Sequence, residues 1–444
     1  MSYHVVRLSG SQTYNNVSVK NLISYLGRNN GRKFIVVSAL NGIMAAIGHA
    51  VDNITETDTA KFSNNLLSEF SLKTGKTASP SYSGLVEQIK AIITGIKLIG
   101  DYSESLKDQI DCFSEKLTAE IFKIQFSAVG INSEVLWPEQ MGLLATDDFG
   151  NATFLSVNKG YCSGLPAGFY LIPGSYGITE HGKLSRAGTS AADYTAAFLT
   201  KALKTGKLEL WGIDQGFTQA DPRIVTKASK ISRLTYSEAS ELAYFDHVSF
   251  HPRTVEPLEN EHIPIVIMDT NSGNGKTDTL INTETFVEKQ IVKGVACSDD
   301  VSLLGLNGPG VGLKPGILAK VTSCLNEAGI NIRSVITSQI SINLILERGT
   351  GKQAYALVRQ LGFSSVKEIS LNDDVALIGI VGHGMQQNYG VSARIFNAVA
   401  QHRINVVLSG SGASDLVSYL IVKSSDKEKS VREIYSAFFN PPNP

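Results

Sequence analysis

Apolar residues along this chain follow two alternating periods. Short branched runs at His4–Leu8, Phe34–Val37, Phe169–Ile172, Leu208–Trp211 and Ile263–Met268 are bounded by glycine or polar residues. They predict buried parallel strands. Between them, Val17–Leu26, Gly84–Leu98, Leu106–Phe126, Ala192–Lys204 and Ser237–Phe245 carry apolar residues at helical spacing. Strands alternating with helices over residues 1–290 predict a layered α/β domain with a mainly parallel sheet. Residues 50–130 read almost wholly as helix, which predicts a helical subdomain packed on that sheet.

The last third of the chain repeats itself. Sliding Val301 onto Val375 carries Leu303 and Gly305 onto Leu377 and Gly379. The same shift carries Gly308, Gly310 and Gly316 onto Gly382, Gly384 and Gly390, and Ile330-Asn331 onto Ile404-Asn405. Core positions and glycines matching at one offset indicate a duplicated fold unit. Each copy reads as a strand (Val301–Leu306; Val375–Val381), a Gly-rich turn (Asn307–Gly316; Gly382–Gly390) and an amphipathic helix. A second strand (Ile330–Thr337; Ile404–Ser409) and a third (Ser341–Leu346; Val417–Val422) follow, with a final helix and strand expected. Two modules result, at residues 298–370 and 371–440, with boundaries free to interleave.

A tight glycine turn before a helix exposes backbone N–H groups that suit a carboxylate. In the first copy these are Gly312 and Gly316, with Asn331, Ile332, Thr337, Ser338 and Gln339 able to add polar contacts. The plainer reading is that the glycines only turn the chain. The second copy departs from the first: Pro315 becomes Tyr389, and Thr337-Ser338-Gln339 becomes Ser411-Gly412-Ala413. The candidate ligand junction is therefore the first copy, around Gly310–Gly316 and Asn331–Gln339.

Charge narrows the function classes. The net charge of −1 gives no electrostatic reason to expect nucleic acid or an anionic membrane as partner. Cys112, Cys162, Cys297 and Cys324 lack CxxC or Cys/His spacing, so neither a disulfide framework nor a metal site is expected. With no signal-peptide pattern at the N-terminus and no long apolar window, the expected compartment is the cytoplasm. Gly273-Asn274-Gly275-Lys276-Thr277 imitates the end of a phosphate-binding loop. Thr270 stands where that loop needs glycine, so the segment reads as a surface turn.

Three loops follow strands directly, where open α/β sheets place ligands: Leu8–Gln12, Ser38–Gly42 and Trp211–Gly216. Together with Thr146–Ala152 (TDDFGNA), Asp193–Ala197 (DYTAA), Ala220–Val225 (ADPRIV), Tyr236–Phe245 (YSEASELAYF) and His251–Pro257 (HPRTVEP), they resemble the aspartokinase family. The duplicated module resembles the ACT domain on GPGVGLKPGILAKV and AGINIRSVITSQISINLIL. The resemblance implies an amino-acid kinase fold followed by tandem ferredoxin-like βαββαβ ACT domains. It also implies ATP, brought with Mg, as phosphoryl donor to the side-chain carboxylate of aspartate, an amino-acid effector, and a homodimer paired through ACT domains.

Carried over residue by residue, the resemblance assigns Arg7, Gly10, Ser11 and Asp193 to catalysis, and Ser38, Glu115 and Arg186 to substrate. It assigns Gly216, Asp221, Pro222 and Arg223 to nucleotide. Thr189 competes with Arg186 for the substrate arginine, according to whether a small insertion is allowed. Arg7 replaces a lysine, Met44 a threonine, Ala192 a serine and Val248 a lysine; Gly212-Ile213 replaces Thr-Asp. Arginine and lysine are not equivalent at a phosphate site. Two readings follow: an active aspartate kinase, or an inactive homologue that senses an amino acid, regulates an active aspartokinase partner or serves as a dimer scaffold.

Overall fold

The computed structural model describes residues 2–10, 16–28, 30–212, 216–245, 250–269, 276–286, 291–411 and 414–440. Ser11, Ile213, Val248, Gly412, Ala413 and most of the Gly273–Thr277 segment lie outside the described residues. The chain divides into two compact units. One holds residues 1–217, 230–240 and 249–284; the other holds 218–229, 241–248 and 285–444.

The first unit begins with β1 (Tyr3–Leu8), α1 (Asn16–Leu26) and β2 (Arg32–Val37). Five helices follow: α2 (Asn41–Asp52), α3 (Thr59–Thr74), α4 (Pro80–Ile99), α5 (Glu104–Asp111) and α6 (Phe113–Ala128). Next come β3 (Ser133–Val135), β4 (Leu144–Ala145), β5 (Phe154–Ser156), α7 (Lys159–Gly164), β6 (Gly168–Pro173), β7 (Tyr176–Ile178) and β8 (Leu184–Arg186). The unit continues with α8 (Ala192–Ala202), β9 (Leu208–Trp211), β10 (Arg233–Thr235), α9 (Tyr236–Phe245), α10 (Glu256–Glu259), β11 (Ile265–Met268) and β12 (Thr277–Asn282). Helix α9 is shared, its residues from Glu241 counting with the second unit.

Eight of these strands form one sheet in the order β10-β12-β11-β9-β1-β2-β6-β3. Pairing is parallel except between β11 and β12. Every residue of β2, β9 and β11 is buried, which explains their continuous apolar runs: helices cover both faces of a parallel sheet. Helices α2 to α6 pack around their own core of Ile43, Phe62, Leu66, Phe70, Tyr82, Val86 and Ile89. Local chemistry sets their ends. Asp58 accepts the N–H groups of Ala60 and Lys61 at the start of α3, and Gly75 closes it at φ 67°. Ser79 caps α4, with Pro80 in its first turn and Gly100 at φ 82° behind it. The single helix expected over Leu106–Phe126 is interrupted at Cys112, whose N–H is shared between the Asp108 and Ile110 carbonyls.

One buried carboxylate ties β9 to β1 and α1. Glu209 receives His4 Nε2 at 3.0 Å, the Tyr25 hydroxyl at 2.8 Å and Lys207 Nζ at 2.6 Å. Burial alone would raise this carboxyl, but the hydrogen bonds and charge of His4, Lys207 and Tyr25 outweigh it and hold it at about 2.

The second unit carries β13 (Val292–Ser298), β14 (Ser302–Asn307), α11 (Ile317–Glu327), β15 (Ile332–Thr337), β16 (Ser341–Leu346), α12 (Arg348–Gln360) and β17 (Glu368–Asn372). The repeat then supplies β18 (Val375–Gly382), α13 (Val391–Gln401), β19 (Val406–Ser411), β20 (Val417–Lys423) and α14 (Lys427–Phe439). Two antiparallel sheets result, ordered β15-β16-β14-β17 and β13-β18-β20-β19. The first module is contiguous. The second finds its last strand not after α14, as the repeat predicts, but before the first module, in β13.

Glycine geometry shows the equivalence. A Cβ on Gly308 would run into the Ser365 carbonyl oxygen just before β17, and one on Gly382 into the Ile291 carbonyl oxygen just before β13. Gly316 at φ 89° and Gly390 at φ 82° cap the matching helices α11 and α13. The first module is thus inserted between the last strand of the second and the rest of it.

Two outcomes follow. Gly308→Ala and Gly382→Ala each force a methyl into a backbone carbonyl and should destabilise the second unit by roughly 3 kcal/mol in urea unfolding. Because the Glu209 carboxyl is depressed, its stabilisation is complete above its ordinary 4.5 and is lost as pH falls through about 2. Glu209→Gln should cost roughly 3 kcal/mol at neutral pH and flatten stability between those pH values. Wild-type and variant acid profiles of the same slope would contradict this.

Candidate functional site

The loops after β1, β2 and β9 meet at the carboxyl ends of their strands. The N–H of Ser9 donates to the Trp211 carbonyl at 2.9 Å, and that of Ser38 to the Leu8 carbonyl at 3.1 Å. Gly10 has no side chain because a Cβ there would strike the Ala39 and Ser38 carbonyl oxygens. Gly212, at φ 83°, lies against Ser9 in the same way.

Arg7 projects from β1 into an ion pair between its Nε and Asp193 Oδ1, with both residues buried. Asp193 sits in the first turn of α8, where a carboxylate also meets the positive end of the helix. Its second oxygen accepts the backbone N–H of His251 at 3.2 Å. The His251 ring is held below its usual range by burial, against the opposing pull of Asp193.

A second charged pair lies on the helical side. Glu115, in the first turn of α6, is fully enclosed, and Arg186 at the end of β8 reaches it with Nη2 at 3.7 Å. Arg186 Nη1 also meets Asp111 at 3.1 Å. Asp108 completes the setting by accepting the backbone N–H groups of Gly150 at 2.9 Å and Arg186 at 2.7 Å. Burial lifts the Glu115 carboxyl above its ordinary value, and Arg186 and the Ser175 hydroxyl pull against that rise. Thr189, the competing position, is exposed.

The two pairs belong to one connected framework. The N–H of Ser175, at the end of β6, donates to the Thr195 hydroxyl on α8 at 2.9 Å, and its carbonyl accepts from Ala187 at 2.8 Å. The N–H of Leu40 donates to Thr118 Oγ1 at 3.0 Å, which seats the loop after β2 on α6. Within this framework Ser38 Oγ, Arg186 Nε and Arg7 Nη1 are buried without a hydrogen-bond partner. Buried polar groups are rarely left so, and unspent capacity in a strand-end cleft marks a place for a polar ligand. Met44 is exposed in the first turn of α2, and Ala192 is buried.

The remaining predicted residues lie elsewhere. Gly216 is in the first unit, at φ 62° beside Thr279. Asp221, Pro222 and Arg223 are in the second. There the Arg223 guanidinium meets Asp221 through Nε at 3.0 Å and Nη2 at 2.6 Å. In the first repeat module, Gly312 packs on the Ser338 carbonyl and donates its N–H to Gln339 at 3.1 Å. Gly316, Thr337, Ser338 and Gln339 share that end of the module. Asn331 and Ile332 stand at the opposite end of β15, roughly 20 Å away along an extended strand. Among the described residues no three His, Cys, Asp or Glu side chains could together hold a metal ion, and no helix is long and apolar enough to cross a membrane.

Sequence reasoning missed Asp108, Asp111, Ser175, His251 and Arg253. The acidic residues were legible as one helical stripe, since Asp108, Asp111 and Glu115 fall on the same face.

Residues 4–269 match the amino acid kinase family and residues 378–438 match the ACT domain. The bifunctional aspartokinase/homoserine dehydrogenase of Haemophilus influenzae is 29% identical over 80% of this chain, which spans 44% of that protein. Aspartokinase 1, chloroplastic, of Arabidopsis thaliana is 26% identical over 89% of this chain and 71% of its own length. Among solved structures, E. coli aspartokinase III in complex with aspartate and ADP superposes with a TM-score of 0.81 at 20% identity, covering 99% of this chain and all of the other. The chain belongs to the amino acid kinase family, and its kinase domain joined to ACT modules makes it a member of the aspartokinases.

Proposed function

We propose that this chain binds aspartate in the cleft of its first unit and transfers the γ-phosphoryl group of Mg-ATP to the side-chain carboxylate. The observation that carries the reading is the Arg186–Glu115 pair, its carboxylate fully buried, together with the unspent Ser38 hydroxyl. A guanidinium and a carboxylate side by side match the two ends of a zwitterion. Arg186 suits the carboxylate of the amino acid and Glu115 its ammonium. The relatives' names and the aspartate and ADP in the E. coli neighbour support this choice of substrates.

Phosphoryl transfer asks the protein chiefly for position and countercharge. Arg7 retains a buried, unpartnered Nη1, which fits a phosphate oxygen. Asp193 holds that guanidinium in place. Mg enters with the nucleotide and neutralises phosphate charge. The first ACT module, at Gly312, Gly316 and Thr337–Gln339, would take an amino-acid effector. The exposed Val335, Ile340 and Leu313 of that module suit pairing with a second copy. Free thiols at all four cysteines fit the cytoplasm.

A second reading rests on a separate observation. Arg7 is committed to Asp193 and Arg223 to Asp221, and the apolar Met44 stands where the family has a threonine. This favours a homologue that has lost turnover and retains amino-acid sensing, alone or beside an active aspartokinase partner.

An assay of ADP release with aspartate and Mg-ATP tests the first reading. Turnover of about 1 s⁻¹ or more is expected, and Arg186→Met should raise KM for aspartate roughly a hundredfold. Turnover at the background rate would leave the second reading. That reading predicts a thermal shift of the full chain with at least one amino acid among lysine, threonine, methionine and aspartate, since a ligand at a hundred times its Kd adds about 2.7 kcal/mol. A panel without any shift would reduce the ACT modules to scaffold.

A further inference from the structure

Three sequence stretches that marked the family, Thr146–Ala152, Asp193–Ala197 beyond its aspartate, and His251–Pro257, so far enter the site only through single hydrogen bonds. One side chain joins all three. Arg253 places its guanidinium over the Tyr194 ring, 4.4 Å from the centroid. Its Nη1 donates to Asn151 Oδ1 at 3.3 Å and to the Ala152 carbonyl at 3.1 Å. Its Nη2 donates to Thr153 Oγ1 at 3.0 Å and to the Tyr194 hydroxyl at 3.3 Å. Its Nε faces Glu256 at 3.3 Å. An arginine has five N–H donors, and here each nitrogen is spent.

Two of these contacts, to Tyr194 and to Ala152, lead to the charged pairs of the cleft. Tyr194 is the neighbour of Asp193, which holds Arg7. The backbone N–H of His251, two residues before Arg253, donates to the same Asp193. On the other side, the N–H of Ala152 donates to the Arg186 carbonyl at 2.7 Å. Asp108 then joins Gly150 to the Arg186 N–H. The loop that Arg253 grips is therefore hydrogen-bonded to the backbone of the residue that faces Glu115.

We infer that Arg253 is a positioning residue that sets the distance between the phosphoryl side of the cleft, Arg7 and Asp193, and the acceptor side, Arg186 and Glu115. It touches neither substrate. It acts through the loop at residues 150–153 and through α8. The inference rests on the reading of the cleft as a carboxylate-kinase site. The physical need is plain: in-line transfer tolerates little misplacement, and a shift of about 1 Å costs roughly a hundredfold in rate. Lysine cannot replace the fork, because its donors radiate from one point and its ammonium does not lie flat on a tyrosine ring.

Two measurements on the full chain test this. In turnover, Arg253→Lys should lower kcat roughly tenfold to a hundredfold at a temperature where it remains folded, and Arg253→Met should do no better. A purely structural role would lower the melting temperature and leave kcat and KM within about twofold, and that result would overturn the inference. The second measurement needs no activity. Unfolding equilibria of Arg253→Met, Arg186→Met and the double variant form a cycle, with Arg253→Met and Asp193→Asn as its companion. Non-additivity of about threefold or more in the unfolding constant is expected in both cycles, since independent sites add. Additive cycles would sink the inference even if the protein is an active kinase. A wild-type chain without turnover would refute only the proposed reaction, and the cycles would still decide the role of Arg253.

Discussion

A buried guanidinium is tolerated only where opposite charge and hydrogen bonds surround it, and Arg186 sets that demand on the first unit. Glu115 and Asp111 meet its charge from α6 and α5, while Asp108 holds its backbone. Those three carboxylates need the helical subdomain to stand against β8. The loop at residues 150–152 is then fixed by its own bonds to Asp108 and Arg186. Removing the arginine would leave the buried Glu115 carboxylate without its countercharge, which is costlier than the pair itself is stabilising. The Arg186–Glu115 side of the cleft is thus a structural joint.

The opposite charge pair obeys the same constraint with a different result. Arg7 and Asp193 neutralise each other at the sheet's carboxyl edge. Electrostatic stabilisation of a transition state depends on charges held ready for it. A cation already balanced by a carboxylate offers less of that readiness than one left open, and the broader guanidinium occupies more room than an ammonium. The same holds for Arg223, bound edge-on by Asp221. Each of these two cations is therefore compensated within its own unit.

The second unit shows what duplication does to a small antiparallel sheet. Each module has four strands over two helices, and among the described residues the second has no strand after α14. Strand β13 fills the gap because its approach past Ile291 fits against Gly382 as the approach to β17 fits against Gly308. The glycines are retained for steric room at a backbone crossing, not for chain reversal alone. The tail of α9 belongs to this unit as well: Leu242 packs over Gly294 and Phe245 over Gly379, places where a side chain would collide.

Period and punctuation in the sequence determined the strands of the parallel sheet, the helical run of residues 50–130, the repeat and its glycine turns. These are local or nearest-neighbour effects, set by burial on one or two faces and by caps such as Asp58 and Ser79. The loops after β1, β2 and β9 come together because adjacent parallel strands end on the same edge. Only the tertiary structure decided that Arg186 and not Thr189 faces Glu115, since that pairing joins residues far apart in the chain. It alone revealed Arg253 as a crossing point, because a hydrogen-bonding fork has no periodic signature. It also decided that β13 completes the second module, an exchange that leaves each strand's own pattern unchanged. Patterns along a chain report which face is buried, and the partner that buries it is fixed by the closing of long loops.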